Sequence, residues 1–175
     1  MNKNIALLIV DVQVAMFSYQ DKKLFEGEKV IENISDVLIK ARLSNIPVIF
    51  IQHTSENDEY AKETDTWRIH PKVAPLHSEL VIEKNYCDSF YKTTLEEELK
   101  KLNIKKLIIA GMQTEYCIDT TCRRAFSMGY DSILVKDGHS TFDGPILKAK
   151  DIIDHHNYIF DRRFVKLVYA KDIEF

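Results

Sequence analysis

Short unbroken apolar runs alternate along the chain with longer stretches in which apolar residues recur every three or four positions. The first run, IALLIV at 5–10, has no polar position, as expected of a strand whose sheet is covered on both faces. From Glu28 to Ser44 the apolar residues Val30, Ile31, Ile34, Val37, Leu38 and Ala41 define one face of a helix. IPVIFIQ at 46–52 predicts a second strand and ELVIEK at 79–84 a third. TTLEEELKKL at 93–102 predicts a helix, with Thr94 and Glu97 at capping-box spacing and Leu95, Leu99 and Leu102 on one face. KLIIAGM at 106–112 predicts a strand, and Thr114 to Met128 a helix stopped by Gly129. A strand at 131–137, a helix near 145–156 and a strand at 164–169 complete the series.

Six strands alternating with helices specify an α/β fold, a doubly wound, mostly parallel sheet with helices on both faces. In such sheets ligands bind beyond the carboxyl ends of the strands. The informative side chains are therefore those just past a strand. Asp11 follows the first strand, Lys84 closes the third, and Cys117 lies a few residues past the fourth. In the order 3-2-1-4-5-6, strands one and four are neighbours about 4.8 Å apart. Asp11 and Cys117 then flank the switch-point crevice, and strand three brings Lys84 within reach.

Each of the three has a bland reading as well. A free cysteine is more often core than catalyst, an aspartate after a strand often caps or turns the chain, and a lone lysine is usually solvated. Their joint placement favours chemistry. A lysine and a helix N-terminus would promote the thiolate of Cys117. Asp11 would take the thiol proton and return one to a leaving amine, and backbone N–H groups ahead of Cys117 would receive an oxyanion. Cys87 and Cys122 read as core residues. Cys122 is about 140° around a helix from Cys117, so the two do not share a crevice.

Composition narrows the class further. The 175 residues, with 45% hydrophobic and 29% charged, suit one soluble globular domain over 1–175. Five glycines and four prolines leave no linker or low-complexity tract. A formal charge of −3 provides no basic field for nucleic acid. The opening apolar run is cut at Asp11, too short for a signal-peptide core or a membrane span. Three cysteines without paired spacing suggest neither a zinc site nor a disulfide scaffold. A cytoplasmic location with no membrane partner is the expectation.

LLIVDVQ at 7–13, VIEKNYCDSF at 81–90 and LIIAGMQTEYCIDTTCRRAFSMGY at 107–130 together resemble the isochorismatase-like cysteine hydrolase superfamily. The likeness extends in order and spacing through TWRIHPKVAP at 66–75 and DGHSTFD at 137–143. It implies a Rossmann-type three-layer fold and an Asp–Lys–Cys triad of Asp11, Lys84 and Cys117. It also implies a cis peptide between Met112 and Gln113, oxyanion donors at the N–H groups of Gln113 and Cys117, and a homo-oligomer. The implied activity is hydrolysis of a small amide or related C–N bond through a thioester, without an organic cofactor.

Two departures limit the likeness. The nicotinamidase branch has a metal-binding D-x-H after its second strand, whereas this chain reads IQHTSEND there. No metal is therefore expected. Isochorismate-cleaving members lack the cysteine nucleophile, so Cys117 argues against that reaction. Gln13, Phe17, His53, Trp67 and Phe90 are the expected walls of a small-molecule pocket, mostly apolar with a few polar groups. For His53 a backbone-bonded strand-end role competes, and for Phe17 and Phe90 plain core packing does. His70 is read as fixing its loop, His155 and His156 as a solvated or interface face, and Arg123 and Arg124 as reaching solvent or a partner. The alternatives to the hydrolase are a catalytically silent ligand-binding module and a nicotinamidase-type amidase.

Overall fold

The computed structural model describes residues 4–175. Its strands are β1 (Ile5–Val10), β2 (Val48–His53), β3 (Leu80–Lys84), β4 (Lys106–Met112), β5 (Asp131–Ser140) and β6 (Lys166–Val168). They form one sheet in the order β3-β2-β1-β4-β5-β6, and every pairing is parallel. The helices are α1 (Ala15–Ser18), α2 (Gly27–Leu43), α3 (Leu95–Lys101), α4 (Asp119–Ser127) and α5 (Ala149–Phe160). Among the described residues no helix is long and apolar enough to cross a membrane.

The unbroken apolar strands are explained by two separate cores. Leu7 and Ile9 of β1 face one way and pack with the apolar stripe of α2, whose six predicted core positions are all buried. Ala6, Leu8 and Val10 face the other way, toward Leu95 and Leu99 of α3, Cys122 and Ala125 of α4, and Phe160 of α5. A strand with a two-residue side-chain period needs apolar residues at every position when helices cover both sides. At the edge, β3 alternates instead: Ile82 and Lys84 are buried while Val81 and Glu83 are exposed.

Several local expectations are corrected. Thr94 precedes α3 but its side chain makes no cap bond; the Leu95 N–H donates instead to the hydroxyl of Thr93 at 3.4 Å. Leu102 is exposed, past the end of that helix. The last helix starts at Ala149 rather than near 145, where Asp143 of the preceding loop accepts from the Ala149 N–H. The helix expected from Thr114 begins as a π-turn, Thr114–Ile118, and becomes α-helical only at Asp119. Its end is as expected, with Gly129 at φ +84°, a left-handed position that glycine tolerates. Cys87 is exposed and is not a core residue.

Candidate active site

β1 ends where it must turn out of the sheet, and Asp11 is the residue that turns, with φ +51°. Aspartate is among the few non-glycine residues that visit this region readily. The ladder does not unzip there. The Asp11 N–H donates to Ile51 O, and two residues on, the Gln13 amide exchanges two hydrogen bonds with the His53 backbone: Nε2 to His53 O at 2.9 Å, and His53 N–H to Oε1 at 2.9 Å. Gln13 Nε2 also donates to Trp67 O at 2.7 Å. Beneath this turn β4 lies so close that a Cβ on Gly111 would sit 1.9 Å from Val10 O. Only glycine fits.

These constraints bring together three groups from distant segments. Lys84 Nζ lies 2.6 Å from Asp11 Oδ2 and donates to Cys117 Sγ at 3.2 Å. Asp11 and Lys84 are 0% and 1% exposed and Cys117 8%, so the thiol is the least deeply buried of the three. Asp11 Oδ1 is buried with no hydrogen-bonding partner among the described residues. The loop after β3 is tied to α4 where the Ser89 and Thr121 hydroxyls meet at 2.7 Å, which fixes Lys84 relative to the Cys117 turn.

Burial and charge act on the three in different directions. Burial works against the Lys84 ammonium, but Asp11 and Cys117 outweigh it and hold its pKa above the ordinary value. Burial pushes the Cys117 thiol up, the Asp11 carboxylate adds to this, and Lys84 opposes it without prevailing. Burial and Asp11 thus push the thiol toward its neutral form beside the Lys84–Asp11 contact, against the thiolate expected from the lysine and a helix N-terminus. The thiol is more buried than a sequence can reveal, and the turn that carries it is not the start of an α-helix.

The Met112–Gln113 peptide at the end of β4 is cis. Gln113 O accepts from the N–H groups of both Tyr116 and Ile118, the second bond defining the π-turn. Thr114, in the same turn, is anchored from behind. Its hydroxyl meets His139 Nδ1 at 2.9 Å, and His139 Nε2 meets Asn157 Oδ1 of α5 at 3.1 Å. Complete burial pushes His139 down to about 4, so the imidazole is neutral at pH 7.

A profile of the isochorismatase domain matches residues 5–155. The chain belongs to the isochorismatase family. The uncharacterized isochorismatase family protein YddQ of Bacillus subtilis is 33% identical over 161 residues, covering 89% of this chain and 88% of that one. A streptothricin hydrolase of Streptomyces noursei is 32% identical over 141 residues, 80% of this chain and 56% of the hydrolase. A crystal structure of an isochorismatase family protein superposes with a TM-score of 0.90 at 32% identity, covering 96% of this chain and 99% of the other. The six-stranded parallel sheet is thus the family's fold.

Within this isochorismatase-family frame the expected pocket residues divide. His53 ends β2 beside the ion pair; burial and Lys84 push its pKa down, its Nδ1 is buried without a partner among the described residues, and its ring meets Tyr60 edge-to-face at 5.3 Å. Gln13 is fully buried with its amide bonded to backbone, so it shapes the wall rather than facing a ligand. Trp67 is half-buried and donates from Nε1 to the Thr54 hydroxyl at 3.0 Å. Phe17 packs against the ring of His70 at 4.6 Å. Phe90 is buried in the second core and stacks on Tyr130, which precedes the amino end of β5; it is a packing residue. His70 does fix its loop, with Nδ1 accepting from the Lys72 N–H. Arg123 is turned back rather than free, forked onto both oxygens of Asp119.

The place where the nicotinamidase branch keeps its metal does not fit an ion here. Ile51 stands at the aspartate position, buried in β2, and the Gln52 amide is bonded to Trp67 O. Among the described residues no group of three His, Cys, Asp or Glu side chains is placed to hold a metal. The sequence reading missed Glu115, Tyr60 and the Thr114–His139–Asn157 chain. The one available signal was His139, in the DGHSTFD block that follows the expected fifth strand.

Proposed function

We propose that this chain is a cysteine hydrolase that cleaves a small amide or related C–N bond through a thioester at Cys117. The observation that carries the reading is the contact of one thiol with a buried ion pair, Lys84 to Sγ at 3.2 Å and to Asp11 at 2.6 Å. A buried ion pair is weak evidence of stabilisation by itself, whereas perturbed ionisable groups around a nucleophile mark a functional site.

In this reading Asp11 is the general base for a thiol that is neutral at rest. As Sγ attacks the carbonyl carbon, the thiol proton passes to Asp11, and Lys84 stabilises the developing charge on sulfur. The carbonyl oxygen becomes an oxyanion held by the N–H groups of Gln113 and Cys117. The turn favours this, because Gln113 O occupies the N–H groups on either side of Cys117 rather than its own. Collapse breaks the C–N bond, and protonated Asp11 gives its proton to the departing amine. Asp11 then activates a water that attacks the thioester, releasing a carboxylic acid and restoring the thiol. Proton transfer to Asp11 during attack removes the need for a standing thiolate. The streptothricin hydrolase among the relatives supports hydrolysis as the reaction class.

The test is a panel of small amides, read by amine or ammonia release and by mass mapping of an acyl group on Cys117 that hydroxylamine removes. Turnover by the wild type and none by Cys117→Ala is the expected result. If no amide in the panel leaves an acyl group or releases amine, the fold serves as a silent binding module.

A further inference from the structure

The floor of the site carries no net charge, and its rim does. Asp11 and Lys84 cancel as an ion pair at 2.6 Å, and Cys117 and His53 are both pushed toward their neutral forms by burial. Above them the rim can be followed contact by contact from the end of β2 to the end of β5. His53 touches Tyr60, whose hydroxyl donates to Met16 Sδ at 3.3 Å. The Gln113 amide approaches the same sulfur at 3.7 Å from the other side. The Thr141 hydroxyl, just past β5, then joins Gln113 Oε1 at 3.4 Å to Glu115 Oε1 at 2.8 Å.

Glu115 is the exception on this rim. It sits in the π-turn, two residues before Cys117, and Oε1 accepts from a neutral hydroxyl. Its second oxygen, Oε2, is buried with no hydrogen-bonding partner among the described residues. A buried carboxylate oxygen without a donor is expensive to keep. The arrangement is satisfied if a ligand brings the missing donor and charge. At the opposite end of this line of contacts His53 Nδ1 is buried and unpartnered in the same way, so the two unmet polar atoms lie at its two ends, His53 beside Lys84 and Glu115 two residues before Cys117.

We propose that Glu115 is a specificity-determining residue that selects substrates carrying a positive charge, an ammonium, amidinium or guanidinium, on the part held beyond Gln113. This rests on Cys117 being the nucleophile. A cationic N–H group beside Glu115 Oε2 would supply a charge-assisted hydrogen bond to an oxygen that otherwise has none. It would also set the scissile carbonyl over the thiol from a fixed point two residues away. The Thr141 and Gln113 contacts keep the carboxylate from turning away.

Three methanethiosulfonates of similar size test the charge preference at Cys117: one ending in a primary ammonium, one in hydroxyl, one in sulfonate. The Cys117 sulfur attacks the sulfenyl sulfur, a mixed disulfide forms, methanesulfinate leaves, and the thiol proton goes to Asp11 or water. Rates are peptide-mapped at Cys117 and divided by those of N-acetylcysteine amide. A fixed anion in a partly dehydrated site should favour the cationic over the anionic reagent by roughly tenfold beyond the free thiol, and Glu115→Gln should bring that ratio to within about twofold of it. The isosteric glutamine keeps an acceptor for Thr141, and Glu56→Gln, at an exposed position, should leave the wild-type ratio in place. If Cys117 labels but the ratio is the same in wild type and Glu115→Gln, the charge selection is overturned and the hydrolase reading stands. If Cys87 labels and Cys117 labels with none of the three, the thiol is out of reach and both fall together.

Discussion

The turn that carries Cys117 lies between two buried polar clusters built on opposite terms. Behind it, Thr114, His139 and Asn157 form a neutral chain in which each ring nitrogen of the histidine has a partner. In front of it, Asp11, Lys84 and Cys117 are a charged group left incomplete: one carboxylate oxygen has no donor among the described residues, and burial pushes the thiol toward its protonated form against the pull of a lysine. A fully satisfied buried network rigidifies its surroundings, and a partly satisfied one stores the capacity to react. The same short segment is thus fixed on one side and left unsatisfied on the other.

The contrast can be broken most sharply at the sulfur. Cys117→Ala should lower any amide turnover by roughly a thousandfold or more while leaving the thermal midpoint unchanged or slightly raised. A fall in stability as large as that of a core truncation would place Cys117 with the scaffold. Lys84→Met comes next. It strands the Asp11 charge in a dry site and should cost about 3–5 kcal/mol in urea unfolding, most of it recovered when Asp11→Asn is added. Additive losses in the double variant would mean the two groups are not paired.

The neutral cluster is tested by pH. With His139 held to about 4 in the fold and an ordinary value of 6.5 for the free side chain, the unfolded chain takes up a proton that the folded one refuses. Stability is therefore lost as pH falls from 6.5 toward about 4, and this residue contributes no slope above that window. The loss approaches about 3 kcal/mol, and His139→Gln should flatten the curve. A wild-type profile that is already flat there would remove the buried neutral histidine. The smallest effect is expected at Cys122. It is fully buried against the second core with its thiol pushed up by burial, so Cys122→Ala should cost about 1 kcal/mol and leave the mapping at Cys117 as it was.

That last pair shows how far the sequence could be read. Cys117 and Cys122 both have thiols displaced upward by burial, and only their neighbours distinguish them. Strand ends were legible because apolar runs stop abruptly, and Asp11, Lys84 and Cys117 could be brought together from topology. The two cores behind the strands followed from the same unbroken runs. The π-turn was not legible, because its bond from Ile118 to Gln113 leaves the spacing of apolar residues almost as an α-helix would. The protonation of Cys117 depends on burial that only packing reveals. Cys87 was misread for the converse reason: cysteine is usually buried, and nothing near position 87 signalled an exposed loop. Glu115 lies inside a motif read for its cysteine, and an unpaired oxygen leaves no mark on a sequence.

The Gln13 amide has a wider consequence. By trading both bonds with the His53 backbone it acts as a borrowed peptide unit, adding one rung to the β1–β2 ladder after the main chain has already left it at Asp11. The seam that holds the first strand's end therefore runs through a side chain as well as the backbone, and a search for new substrate ranges in this scaffold has little freedom along it.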